Sequence, residues 1–177
     1  TYGVKGTFFT PSYVLEHYPE AAAAIHKAGH EIAYHGILHE PERYNSREDE
    51  SAKMEQAESV IERLTGRRPA GHRAPHSTLH PEAFSLMRER GYLYSSNLRD
   101  CDYAYLHEAE AGESPLVELP TDVVLDDFTY YYYSCAIEPG HRIAFTNREY
   151  INMLREEFDG VAAEGDKICL LYTSDAC

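Results

Sequence analysis

The sequence predicts an α/β fold with a largely parallel sheet, and three observations carry that expectation. Short apolar, β-branched or aromatic runs such as Val4–Phe9 and Glu31–Tyr34 end in turn or loop residues. A longer stretch from Ser46 to Gly66 repeats its apolar residues at helical spacing. The two kinds of segment alternate along the chain, as strand–helix units do.

Each element has a local reason. Val4–Phe9 reads as a buried strand stopped by Thr10-Pro11, followed by a turn or two of helix over Ser12–Tyr18. Pro19 suits the first position of a helix through Ala28, and Gly29 suits the residue just past its end. Glu31–Tyr34 is a second strand, and His35–Asn45 a polar loop. Ser46 with Asp49 resembles a capping box, and Glu48, Asp49 and Glu50 place acids where the helix dipole favours them. Met54, Ala57, Val60, Ile61 and Leu64 then form one apolar stripe ended by Gly66. A loop around Arg73 leads to a helix over Pro81–Arg90, Gly91, and a strand over Tyr92–Tyr94. Val117–Val124 reads as a strand that Pro120 makes irregular or confines to an edge. Asn147 is placed as the cap of a last helix to about Ala163, and Ile168–Tyr172 as a final strand.

The chain of 177 residues fits one domain, with 43% hydrophobic and 26% charged residues. A net charge of −14 repels phosphate backbones and anionic lipid, so no nucleic-acid partner is expected. No apolar run is long enough to span a membrane. Cys101, Cys135, Cys169 and Cys177 form no CxxC pair and read as free thiols. Fifteen tyrosines suit polar ring-shaped ligands and ordinary packing equally, and the run Tyr130–Tyr133 is either a cleft wall or a packed strand.

Of the ten histidines, His17, His26, His30, His107 and His141 read as surface or capping residues. His35 and His39 differ, because they stand four apart just beyond a predicted buried strand. That spacing can turn both imidazoles to one side, as a two-histidine metal site needs, and ligands gather beyond the carboxyl ends of parallel strands. Chance recurrence in a His-rich chain is the competing reading. His72-Arg73-Ala74-Pro75-His76 is a second candidate, set against an Arg that merely braces a loop. Asp126-Asp127 is a third, since adjacent carboxylates can raise one pKa, although neighbours on a strand face opposite ways.

In order, the segments Gly3–Phe9, Gly29–His39 and Arg73-Ala74-Pro75 resemble the polysaccharide deacetylase family, the NodB-homology domain of carbohydrate esterase family 4. Leu116-Val117-Glu118-Leu119-Pro120 followed by Leu125-Asp126-Asp127 looks most like its branch of bacterial peptidoglycan-deacetylase-like and allantoinase-like members. The resemblance implies a distorted (β/α) barrel of the NodB type, incomplete here. It implies hydrolysis of the acetyl amide of an amino-sugar polymer or oligomer such as peptidoglycan or chitin. It also implies a divalent metal, zinc first and cobalt, nickel or iron as alternatives, held by an Asp and by His35 and His39. Arg73 would hold the catalytic Asp, the backbone N–H of His76 would assist the oxyanion, and Asp126 or Asp127 would help bind substrate. Metal-activated water, a carboxylate base and an oxyanion donor make a coherent amide hydrolase.

The chain departs from the family pattern at both ends. The Asp-bearing first motif should precede Thr7, yet no acid lies among the six residues before it. The Leu-x-His motif with the general acid should follow the last helix, and Ile168–Cys177 contains no His. Cys169–Ser174 resembles the translation of a sequencing-library adapter. The expectation is therefore a partial domain over residues 1–168 with a non-native tail over 169–177, inactive by itself. No signal peptide is visible, so the cytoplasm is favoured over an extracellular location. The alternatives are an allantoinase-like, metal-independent hydrolase of cyclic amides and a carbohydrate-binding domain without catalysis.

Overall fold

The computed structural model describes residues 3–39, 46–122, 125–127, 130 and 146–165. The chain divides into two compact units, Thr1–Asn97 with Leu106–Glu118, and Leu98–Tyr105 with Leu119–Cys177.

In the first unit the elements run β1 (Thr7–Thr10), α1 (Ser12–His17), α2 (Pro19–Lys27), β2 (Glu31–Tyr34), α3 (Arg47–Thr65), β3 (Gly71–His72), α4 (Ala83–Arg90) and β4 (Tyr94–Ser95). Two further short strands follow along the chain, β5 (Tyr105–Leu106), whose Tyr105 counts with the second unit, and β6 (Val117–Glu118). The sheet order is β1-β2-β3-β4-β6-β5, and the ladders from β1 through β6 are all parallel. Parallel neighbours joined through helices are what the alternating pattern predicts.

The register sorts side chains onto two faces. Phe9 pairs with Ala33, Gly71 with Tyr94, and Tyr34 with His72. Since faces alternate along a strand, Ala33 and His35 share one face while Tyr34 takes the other. Tyr34 packs on the helix side with Met54, Ala57, Ala83, Leu86, Met87, Tyr92 and Leu116. Leu15, Ala22, Ile32, Val60 and Ile61 form a second cluster, so α3 supplies both cores from one stripe. Each large aliphatic side chain among them contributes about 1.5–3 kcal/mol, and the alanines less.

Helix α3 has the ends read from the sequence. Ser46 accepts the N–H of Asp49, and Gly66 closes the helix in a left-handed conformation. A carboxylate is buried within it: Glu58 accepts from Tyr92 OH at 2.9 Å, Arg68 at 2.9 Å and Arg90 at 2.7 Å. Burial raises the Glu58 pKa even with two arginines beside it.

Several elements differ from expectation: the first strand is Thr7–Thr10 and not Val4–Phe9, and it is exposed to half-buried where a buried strand is expected. The fourth strand is Tyr94–Ser95, because Tyr92 N–H still closes the end of α4 on Met87 O. The Val117 strand keeps only two residues and ends before Pro120, but it lies inside the sheet between β4 and β5.

In the second unit, helix α5 (Asn147–Glu164) is capped by Thr146 and not by Asn147. Thr146 Oγ1 accepts from Glu149 N–H while the Glu149 carboxylate accepts from Thr146 N–H, a complete capping box. Tyr150 packs its ring 5.2 Å from that of Tyr130 and donates to Leu125 O at 3.3 Å. Cys101 is a free thiol. Cys135, Cys169, Cys177, His141, Tyr131–Tyr133, the expected strand Ile168–Tyr172 and the tail 169–177 lie outside the described residues. No described helix is long and apolar enough to cross a membrane.

Candidate active site

The rings of His35, His39 and His76 come together at the carboxyl ends of β2 and β3, and Arg73 joins them through its backbone carbonyl. His35 follows β2 directly and is 1% exposed. Its Nδ1 lies 2.8 Å from the carbonyl oxygen of Arg73. A carbonyl only accepts, so Nδ1 carries a proton and Nε2 is the ring nitrogen that would face a metal, as in metal-ligating histidines. The rings of His35 and His39 stand 5.2 Å apart, and those of His39 and His76 stand 4.7 Å apart.

The loop carrying the histidines is anchored by α1. Ser12 N–H and Tyr13 N–H, in the first turn of that helix, donate at 3.0 Å to the carbonyls of Gly36 and Ile37. Gly36 adopts φ +72°, and a Cβ there would press at 3.4 Å on Leu38 O and Pro75 Cγ. The turn between the two histidines thus favours glycine for its left-handed backbone angle.

Arg73 donates from Nε to Ser96 O at 3.1 Å and from Nη2 to Ser96 Oγ at 2.7 Å. Its guanidinium carbon lies 4.2 Å from the ring centre of Phe9. Beyond it, His76 and Ser77 both hold φ 54°, two successive left-handed residues without a glycine. Such residues cost about 1–3 kcal/mol each and persist where surrounding contacts fix them. Ser77 N–H is used by Ala74 O and Thr78 N–H by Pro75 O.

Polar residues that the sequence reading left without a role stand behind this loop. Asn97 Oδ1 accepts from Ala74 N–H at 2.7 Å, and its Nδ2 reaches His72 O, His72 Nδ1 and Ser95 Oγ. Glu118 Oε1 accepts from Asn97 N–H at 2.6 Å, and Oε2 lies 2.8 Å from His107 Nε2. His107 is therefore no surface residue: its side chain is 12% exposed, against an expectation of solvent. Burial pushes His72 down to about 3, the nearby His35 adding to the effect, so it is neutral at pH 7. The local signal for this group was the Ser95-Ser96-Asn97 run after a strand and the acid in Leu-Val-Glu-Leu-Pro.

Asp126 and Asp127 belong to the second unit, whereas the other four candidates belong to the first. Both are half-buried. Among the described residues no set of three His, Cys, Asp or Glu side chains gathers as a metal cage. The donor chemistry nevertheless fits a divalent metal in part: two adjacent imidazoles, one with its tautomer set by a backbone carbonyl, are borderline donors of the kind zinc accepts.

Residues 1–95 match the family model described as polysaccharide deacetylase. The chain belongs to the polysaccharide deacetylase family. Among curated proteins it is 33% identical over 120 residues to a peptidoglycan deacetylase-like protein of Gibberella zeae, covering 68% of this chain and 33% of that protein. It is 28% identical over 149 residues to a peptidoglycan deacetylase of Helicobacter pylori, covering 71% and 50%. The chain thus spans a third to a half of the length of these relatives. A solved structure from Mycobacterium smegmatis described as a polysaccharide deacetylase superposes with TM-score 0.80 at 34% identity, covering 92% of this chain and 56% of that one. The Puue allantoinase superposes with TM-score 0.75 at 25% identity, covering 90% and 50%. The parallel sheet with its helices is accordingly an incomplete (β/α) barrel of the NodB type.

Proposed function

We propose that this polysaccharide deacetylase domain removes acetyl groups from an N-acetylated amino-sugar polymer of the peptidoglycan class with the help of a divalent metal. The observation that carries the reading is the approach of the His35, His39 and His76 rings at one sheet end, with the Arg73 carbonyl on His35. The peptidoglycan deacetylase of Helicobacter pylori and the related protein of Gibberella zeae support the substrate class.

His35 and His39 would hold the metal, zinc in the first instance, with a carboxylate supplied from outside the described set. When bound, such a metal lowers the pKa of water and polarises an amide carbonyl. The chain's own residues do the rest. Arg73, pinned by Phe9 and Ser96, presents a fixed positive charge that orients a carboxylate base. The His76 backbone N–H, displayed by the left-handed turn, donates to the oxygen that becomes negative as the acetyl carbon turns tetrahedral. Asp126 or Asp127 would accept hydrogen bonds from sugar hydroxyls.

The likeness to the Puue allantoinase favours a second reading, hydrolysis of a small cyclic amide, which in that case would proceed without the metal. Because the chain spans a third to a half of its relatives, the test belongs on the parent protein that carries it. That protein should release acetate from N-acetylglucosamine oligomers, stop when a chelator is added, and recover with zinc. The 177 residues alone should release none. Acetate release that survives chelation, or hydrolysis of cyclic amides in its place, would overturn the proposal.

A further inference from the structure

One peptide group joins the two sides of the sheet end. The Arg73 carbonyl and the Ala74 N–H belong to the same planar unit, so neither can rotate without the other. On the β2 side the carbonyl receives the Nδ1 proton of His35 at 2.8 Å. On the other side the N–H donates to Asn97 Oδ1 at 2.7 Å. Asn97 is 3% exposed and is fixed in turn by the fully buried Glu118, which accepts its backbone N–H at 2.6 Å.

We propose that Asn97 and Glu118 are positioning residues for His35, acting through the Arg73–Ala74 peptide to set the ring orientation and tautomer of the imidazole. The inference deepens the metal-binding reading of His35 and rests on it for its catalytic meaning. The Asn97 amide is held at both ends, with Nδ2 donating to His72 O at 3.1 Å and to Ser95 Oγ at 2.8 Å. Oδ1 therefore has one direction in which to receive Ala74 N–H. That direction fixes the tilt of the peptide plane and hence the line along which the Arg73 carbonyl meets His35. His72, neutral and stacked 4.5 Å from Tyr34, supplies a rigid wall for the amide. His107 holds the second carboxylate oxygen of Glu118, which leaves Oε1 aimed at Asn97. The arrangement matches the rule that partners behind a metal-ligating histidine set its tautomer and basicity.

The test is nitrogen-15 NMR of the imidazoles in this chain, metal-free, with acetate release by the parent protein measured beside it. Wild-type His35 should be the Nδ1–H tautomer with a slowly exchanging ring proton. Asn97→Ala should mix the two tautomers and speed exchange of the Ala74 amide at least tenfold, while amides of α3 stay protected. Glu118→Leu should do the same to a smaller degree, and Glu118→Gln, which keeps an acceptor for Asn97 N–H, should restore the wild-type spectrum. In the parent protein, Asn97→Ala should lower kcat about 10–100-fold with KM within about threefold. An Nε2–H tautomer in wild-type His35 would overturn the proposal even if no variant folds. So would an unchanged tautomer ratio in a folded Asn97→Ala. A tautomer change in a parent protein that releases no acetate supports the positioning role and overturns the deacetylase reading alone.

Discussion

Arg73 lies against Phe9 although their strands are not neighbours, with the guanidinium carbon 4.2 Å from the ring centre. β2 runs between β1 and β3 in the sheet, so the two side chains meet over it. They can do so because the row joining Phe9 to β3 is built from small residues, Ala33 and Gly71. A cation over an aromatic face gains about 0.5–2 kcal/mol, according to how far water is excluded. Together with the two bonds to Ser96, that holds the guanidinium in place before any ligand arrives.

Arg73→Lys keeps the charge but loses the planar fork that serves Ser96 and the ring. In the parent protein it should lower kcat at least about tenfold and leave zinc affinity within about threefold, since Arg73 is not a ligand. Arg73→Ala should lower kcat further. Steady-state rates with a chelator-competition measurement decide it, and unchanged turnover would remove Arg73 from the mechanism.

His35→Ala and His39→Ala should each weaken zinc binding by more than the 10–100-fold typical of losing a mere supporting partner. His76→Ala, which keeps the backbone donor, should leave zinc affinity within about threefold. Competition with a chromogenic chelator reads all three. Equal affinity in all variants would remove the histidine pair from metal binding.

Gly71→Ala should destabilise the chain by about 1–3 kcal/mol or more through overpacking. A Cβ at this position would collide with Cζ, Cε2 and the hydroxyl of Tyr94. That ring cannot swing away freely, because its hydroxyl donates to Glu31 at 2.9 Å. Urea unfolding measures the loss, and Tyr94→Leu in the same chain should recover part of it.

Stability should fall with acid through His72. Its folded pKa is about 3 against 6.5 for the free side chain. Folding therefore excludes a proton that the unfolded chain binds below about 6.5. The contribution is fully present above that pH and is lost progressively as pH falls towards 3. The whole interval amounts to an order of 4–5 kcal/mol. His72→Gln should flatten the slope of unfolding free energy between pH 6.5 and 4.5, above the range in which the salt-bridged Glu55 and Glu89 lose their charge.

The legible parts of the fold were those with local causes. Ser46 and Gly66 bound α3 because a cap and a left-handed terminator act within one helical turn. Strands β3 and β4, with two residues each, exist because neighbours hold them and not because of any periodicity. Tyr92 belonged to the close of α4, a matter of one backbone bond that propensity does not register. Thr146 and Asn147 are both good caps, and Glu149, three residues on from Thr146, is the mark that separates them.

At the site, His35, His39, Arg73 and His76 could be named from their motifs. Asn97 and Glu118 could not be given roles, because their partners lie 21 to 25 residues away and a polar residue's partner is set by the folded sheet. His107 shows the same limit: its carboxylate stands eleven positions on, across a loop.

Helix α1 opens by giving its first amide protons to the carbonyls of Gly36 and Ile37. A helix of six residues has little stability alone, and this one draws part of its start from a loop more than twenty positions downstream. The two segments should consequently open and close together, as a local unit less stable than the whole chain, which hydrogen exchange at the Ser12 and Tyr13 amides would show. Anything that clamps the histidine loop slows exchange at Ser12 and Tyr13, and anything that frays α1 loosens His35 and His39 in the same measure.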